Sequence, residues 1–276
     1  MSSTPLHHAR LIFIGGGNMA RSLIGGLLQR GHQATAIHVV EPNAPLREAL
    51  QNDFGVMCTA DSSSIHTDAD CVLLAVKPQV MRAVCEALRG RINNAVLLSV
   101  AAGITTAQIA DWTGSSTVIR CMPNTPALIG VGASGLFAAA NVTEAQRALA
   151  SHLLNAVGIS RWIDDEAHMD IVTALSGSGP AYVFYLVEAM SAAASQLGLD
   201  ADTARDLAIQ TCLGAARMLS ESDEPADALR RRVTSPGGTT QAAIESLQAD
   251  HFTQIIATAI NAATERGKTL SAAAGG

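Results

Sequence analysis

The chain has 276 residues, of which 48% are apolar, 15% charged and 3% aromatic. That length exceeds one ordinary domain and carries enough apolar material for two cores. With 18 Lys and Arg against 24 Asp and Glu, a formal charge of -6, and only two Trp, two Tyr and five Phe, the chain lacks both the cations to neutralise a phosphate backbone and the aromatics to stack bases, so nucleic acid is excluded as the expected partner.

The first ten residues are polar and lack a basic segment followed by an apolar core, so no signal peptide is expected. Apolar runs at Leu11–Ile14, Ile37–Val40, 71–76 and 96–100 are predicted as buried strands, with helical patterns between them. Further strands are predicted at 117–120, 135–137 and 160–163. Thr143 and Gln146 form a capping box that opens a helix to Val157, closed by Gly158. This is the βαβ rhythm of a Rossmann-like, doubly wound parallel sheet, assigned to residues 1–164.

After residue 164 the pattern becomes helical, at 169–175, 181–197, 202–219, 240–247 and 252–266, and residues 165–276 are assigned to an all-helical domain. The most apolar long stretch, 181–199, contains Glu188 and several Ser and Gln, which favours a buried helix over a membrane span. So much Ala-rich apolar helix predicts burial against a second copy of the chain. The last six residues are expected to be disordered. Cys58, Cys71, Cys85, Cys121 and Cys212 form no C-x-x-C pair and are expected to be reduced thiols in a cytoplasmic protein.

Leu11–Ile14 runs directly into Gly15-Gly16-Gly17-Asn18-Met19-Ala20, a G-x-G-x-x-A turn opening a helix. Gly15 permits the tight turn, Gly17 admits a pyrophosphate to the backbone, and Ala20 allows close helix packing, so a dinucleotide site is predicted. Glu41 ends the second strand, where it can accept from a ribose 2′-hydroxyl and repel a 2′-phosphate, or stand as a solvated loop charge. As an exposed charge it would give a modest bias towards NADH with use of both cofactors. Asn43 could hold a phosphate or a hydroxyl. Ala75-Val76-Lys77-Pro78 leaves the third strand at the ligand-binding edge, where Lys77 either packs on the adenine, reaches a phosphate or is a solvated residue before a helix. Val100-Ala101-Ala102 leaves room for a flat ring or reflects tight packing. Asn124, between Pro123 and Pro126, either orients a nicotinamide or structures its loop. Two glycine-rich stretches, 176–180 and 234–240, precede helices and offer backbone N–H groups to an anion, or serve as plain caps and turns. The second adds four hydroxyls, which favours a ligand. There is no G-x-S-x-G, no H-E-x-x-H and no Cys–His pair at ligand spacing, so neither hydrolytic chemistry nor a metal site is expected.

Together, the stretches 14–20, 75–78, 118–126, 175–182 and 233–240 closely resemble the pyrroline-5-carboxylate reductases, in the same order along nearly the whole chain. The resemblance implies hydride transfer from NADPH or NADH to the C=N carbon of 1-pyrroline-5-carboxylate, giving L-proline. It implies cofactor positions at Ile14, Gly15, Gly16, Gly17, Asn18, Met19, Asn43, Ser62, Ala75, Val76, Lys77, Pro78, Val100, Ala101 and Ala102. Substrate positions fall on Glu166, Ser235, Gly237, Gly238, Thr239 and Thr240, with Thr240 the expected donor to the reacting nitrogen. It also implies a homodimer through the helical domain and decamers built from such dimers. The rivals are a β-hydroxyacid-dehydrogenase-like reductase and a non-catalytic NAD(P)H-sensing module.

Overall fold

The computed structural model describes residues 6–62 and 68–274. The polar segment 1–5 and the final Gly275-Gly276 lie outside the described residues. The chain forms two compact units, one reaching Gly177 and including the chain from Ala263 onward, the other Ser178–Ala262. The first unit therefore extends past residue 164, and it regains the end of the chain.

Its centre is an eight-stranded sheet: β1 (Leu11–Ile14), β2 (Ile37–Val40), β3 (Met57–Thr59), β4 (Cys71–Leu74), β5 (Val96–Ser99), β6 (Val118–Met122), β7 (Gly132–Ala138) and β8 (Gly158–Trp162), in the order β3-β2-β1-β4-β5-β6-β7-β8. The six strands from β3 to β6 are parallel. β7 runs antiparallel to β6, and β8 is parallel to β7. The sheet is therefore mixed rather than purely parallel, a correction confined to its last two strands. β3 lies outside the predicted set because three residues are too few for a periodic signal.

Helices α1 (Asn18–Gln29), α2 (Ala44–Phe54), α3 (Pro78–Leu88), α4 (Thr106–Thr113) and α5 (Glu144–Asn155) connect the strands. β1, β4 and β5 are buried at every position, as strands covered on both faces must be. One core cluster packs Leu23, Ile24 and Leu27 of α1 against Phe13, and a second packs Met81, Cys85 and Leu88 of α3 with Ile12 and Leu97. The Thr143–Gln146 capping box is present. Gly158 does not close α5. It starts β8, where a Cβ would stand 1.9 Å from the Gly132 carbonyl oxygen.

The predicted helix at 169–175 is one α-turn, α6 (Met169–Val172), followed by a π-helical turn, Thr173–Gly177. The second unit contains α7 (Gly179–Gln196), α8 (Ala201–Glu221), α9 (Ala226–Arg232), α10 (Thr239–Ala249) and the start of α11 (Phe252–Ala274). The expected disordered tail is helical as far as Ala274, and Ser271 Oγ donates to Asp170 Oδ1 at 3.4 Å. In the second unit Ala204, Ala208 and Leu229 are the buried apolar residues, whereas Phe184 is 68%, Tyr185 71% and Leu213 59% exposed. Among the described residues no helix is long and apolar enough to cross a membrane. All five cysteines are free, and burial pushes the thiols of Cys85 and Cys121 up to about 11 and about 12.

His32, after α1, is 4% exposed. Its Nε2 lies 3.0 Å from the Ala9 carbonyl oxygen, which fixes it as the donor, and its Nδ1 is buried with no partner among the described residues. Burial holds this imidazole below the ordinary histidine value against the opposing Ala9 hydrogen bond, and His152, His7 and His8 add to the depression. A depressed histidine contributes stability that is complete above about pH 6.5, its unfolded value, and is lost as pH falls below it. The thermal midpoint should therefore drop more between about pH 7.5 and about pH 5.5 in the native chain than in His32→Gln, which keeps a donor but does not titrate. Equal drops would contradict this.

Candidate active site

Because β1, β2, β4, β5 and β6 are parallel, their carboxyl ends deliver Gly15, Glu41, Ala75, Val100 and Asn124 to one edge of the sheet. Strand order reverses between β1 and β4, the switch point where open α/β sheets bind ligands. Gly15 has φ +99°, donates its N–H to the Val40 carbonyl at 2.8 Å, and has no room for a Cβ, which would meet the Ala75 carbonyl oxygen at 2.6 Å. At Gly16 a Cβ would lie 2.6 Å from Leu50. At Gly17 it would meet nothing within 4 Å, and Gly17 is exposed at the N-cap of α1, which no side chain caps. Two glycines thus close the turn against the protein, and the third opens it outward beside uncapped N–H groups. That combination fits a dinucleotide pyrophosphate.

Glu41 is 8% exposed and is not a solvated charge. Its Oε2 accepts from Gly16 N–H at 2.8 Å and its Oε1 from Asn43 N–H at 2.9 Å. Asn43 caps α2 through Oδ1, which accepts from Leu46 N–H, so its Nδ2 is the atom left to meet a ligand. The Ser62 carbonyl accepts from Arg91. Ala75 N–H donates to the Ile14 carbonyl, Lys77 is an exposed N-cap of α3, and Pro78 starts that helix. Ser99 Oγ accepts from the buried Ala101 N–H, while Ala102 is exposed. A cavity of about 570 Å³ opens beside these residues, with Pro78, Ala102, Gly103, Trp112, Asp170 and Leu270 in its wall.

Of the two readings of Asn124, the structure supports the loop role: Nδ2 donates to the Ser176 carbonyl at 3.1 Å and Oδ1 accepts from Ala133 N–H at 2.9 Å. Glu166 is likewise held within its own unit. Its oxygens accept from Thr106 N–H and Oγ1, each at 2.8 Å, and Oε1 lies 3.6 Å from Arg120 Nη1. Arg120, 4% exposed on β6, also pairs with Asp170 at 3.4 Å. Sequence reasoning missed this cluster as a unit, although a lone Arg in an apolar strand, with acids one helical turn apart at 166 and 170, was its signal.

In the second unit, Gly237 takes φ +71° and donates to Gln241 Oε1, and Gly238 N–H donates to the Ser235 carbonyl. Gly238 is the N-cap of α10, and no side chain caps it. Thr239 and Thr240 are the first two helical residues, so Thr240 is not the cap. Thr239 is exposed and Thr240 half-buried. Among the described residues no group of His, Cys, Asp or Glu is placed to hold a metal.

The parallel sheet, the glycine turn at its switch point and the helical second unit define a nicotinamide-dinucleotide-dependent oxidoreductase with a helical dimerisation domain. The comparisons agree. The family model described as pyrroline-5-carboxylate reductase dimerisation matches residues 166–270, and that described as NADP oxidoreductase, coenzyme F420-dependent, matches residues 10–103. The chain is 50% identical to the pyrroline-5-carboxylate reductase of Pseudomonas aeruginosa over 98% of both chains, and 37% identical to that of Arabidopsis thaliana over 97% of both. The structure of a Coxiella burnetii pyrroline-5-carboxylate reductase superposes with a TM-score of 0.92 at 41% identity, covering 95% of this chain and 98% of that one. A Plasmodium falciparum pyrroline carboxylate reductase with NADP bound superposes at 0.83, with 27% identity, covering 97% of this chain and all of that one at 100%. This chain belongs to the pyrroline-5-carboxylate reductase family.

The glycine turn yields a paired test. Gly17→Ala should leave the thermal midpoint unchanged, because its backbone is extended and its surroundings open, yet weaken cofactor binding about tenfold or more in a fluorescence titration. Gly15→Ala should lower both. Unchanged affinity in Gly17→Ala would remove the pyrophosphate from this turn.

Proposed function

We propose that the protein reduces 1-pyrroline-5-carboxylate to L-proline. The observation that carries this reading is full-length membership of the reductase family together with an open glycine turn at the sheet's switch point. Bound NADH or NADPH supplies the hydride. The residues that would hold it are Ile14 to Met19, Asn43, Ser62, Ala75 to Pro78 and Val100 to Ala102, with Asn124 setting the loop beside them.

The helical segment, residues 165–276 in functional terms, supplies the substrate site. The uncapped N–H groups at the start of α10, from Thr239 onward, take the substrate carboxylate, with Ser235, Gly237 and Gly238 shaping the loop before them. Glu166, a substrate position by family likeness, is held by Thr106 at the start of α4 within the first unit. The protonated imine needs no strong acid or base. As hydride adds to carbon, the C=N electron pair becomes the amine lone pair on nitrogen, and the Thr240 hydroxyl donates a hydrogen bond to it. That bond exists only as the lone pair develops, so it favours the transition state over the bound substrate.

A β-hydroxyacid-dehydrogenase-like mechanism would call for a helical lysine at the substrate. Lys268, the one lysine after residue 164, is paired with Glu265 on an exposed face. A mere cofactor sensor would have no use for the Ser235–Thr240 loop. A cytoplasmic location belongs to the same proposal, supported by five spread cysteines with no C-x-x-C pair.

Thr240→Ala should keep cofactor affinity and lose about 10- to 100-fold in kcat/KM, or about 1.4–2.8 kcal/mol of transition-state stabilisation. Native kinetics in that variant would remove Thr240 from the site. The exposed Phe184, Tyr185, Leu207 and Leu213 imply burial against a second copy of the helical domain. Sedimentation equilibrium should give a dimer or a decamer built on it, and an active, stable monomer would contradict this reading.

A further inference from the structure

We propose that Glu41 makes this enzyme select NADH over NADPH. The inference rests on the glycine turn being the dinucleotide site, and not on the identity of the imine. At the carboxyl end of β2, the Glu41 carboxylate is fixed by two backbone donors, Gly16 N–H at 2.8 Å and Asn43 N–H at 2.9 Å, and the residue is 8% exposed. Its Cγ packs where a Cβ on Gly16 would come within 3.2 Å. The negative charge therefore belongs to the wall of the turn and cannot swing into water.

The neighbouring cation, Arg47, keeps its charge but turns one nitrogen onto backbone carbonyls. Arg47 Nη1 donates to the Glu41 carbonyl at 2.8 Å and the Pro42 carbonyl at 2.7 Å, so that nitrogen is held on the loop backbone. Asn43 caps α2 through Oδ1, and its Nδ2 can donate to a 2′-hydroxyl or a 2′-phosphate alike, so it favours neither. A ribose 2′-hydroxyl can donate to a carboxylate. A 2′-phosphate has only acceptor oxygens and further negative charge to bring to it. Burial also weakens the salt screening that would soften this repulsion at an exposed site. Exposure is the point on which the sequence-based expectation of a modest bias depended, and Glu41 is not exposed.

The test is direct binding to the full chain without imine, so that a failed cofactor preference and a failed reductase reading are told apart. Calorimetric or fluorescence titration should show NADH bound about tenfold or more tightly than NADPH, and 5′-ADP should compete better than 2′,5′-ADP. Glu41→Gln should narrow the NADH-to-NADPH ratio to about threefold or less, chiefly by tightening NADPH. Equal or inverted affinities in the native chain would overturn the proposal. So would a Glu41→Gln variant that weakens both cofactors alike, since that is the signature of a residue that only braces the turn. Should that variant fail to fold, the native 5′-ADP against 2′,5′-ADP comparison decides the matter alone.

Discussion

Three strands converge on a space with no room for a side chain. Gly15 follows β1 with its N–H on the β2 carbonyl of Val40, and a Cβ there would meet the Ala75 carbonyl oxygen, just after β4, at 2.6 Å. Any larger residue would have to push apart strands buried on both faces. This contact sets the path of the turn, which in turn aims Gly16 N–H at the Glu41 carboxylate and leaves Gly17 open at the head of α1. The cofactor end of the enzyme follows from that packing requirement.

A second constraint lies on the other side of the same edge. Arg120 is buried in β6 between Glu166 and Asp170, and a cation so placed requires both partners. Glu166 extends the tie to the first turn of α4, and Asp170 extends it to Ser271 near the end of α11. Asn124 joins the same region by bridging Ser176 and Ala133. These bonds explain why residues 165–177 and the end of the last helix pack with the sheet, although their sequence pattern is continuous with the helical half.

What could be read in the sequence follows from what is local. Glycines at a strand-to-helix junction and the Thr143–Gln146 box satisfy needs within a few residues, so they were legible. Strand direction is not local. Gly132–Ala138 has the composition of a buried strand whether it runs parallel or antiparallel, and its reversal is visible only in its pairing with β6. Glu41 after a strand looks the same whether it faces water or a backbone N–H 25 positions away in the chain. Glu166 and Asn124 have partners 60 and 52 positions distant, which no spacing rule reveals. The Thr234–Thr240 loop was legible as a glycine-rich helix start, and α10 does begin there, whereas its anion and its substrate remain part of the proposal.

The central claim is that this protein delivers hydride from NADH or NADPH to a cyclic imine. The most direct measurement follows loss of nicotinamide absorbance by the full-length protein with 1-pyrroline-5-carboxylate, alongside 2-keto and 3-hydroxy acids as competitors for the role of substrate. The account predicts turnover with the imine, one L-proline formed per cofactor oxidised, and none with the acids. Cofactor binding without imine-dependent oxidation, or oxidation driven by a keto acid, would contradict it.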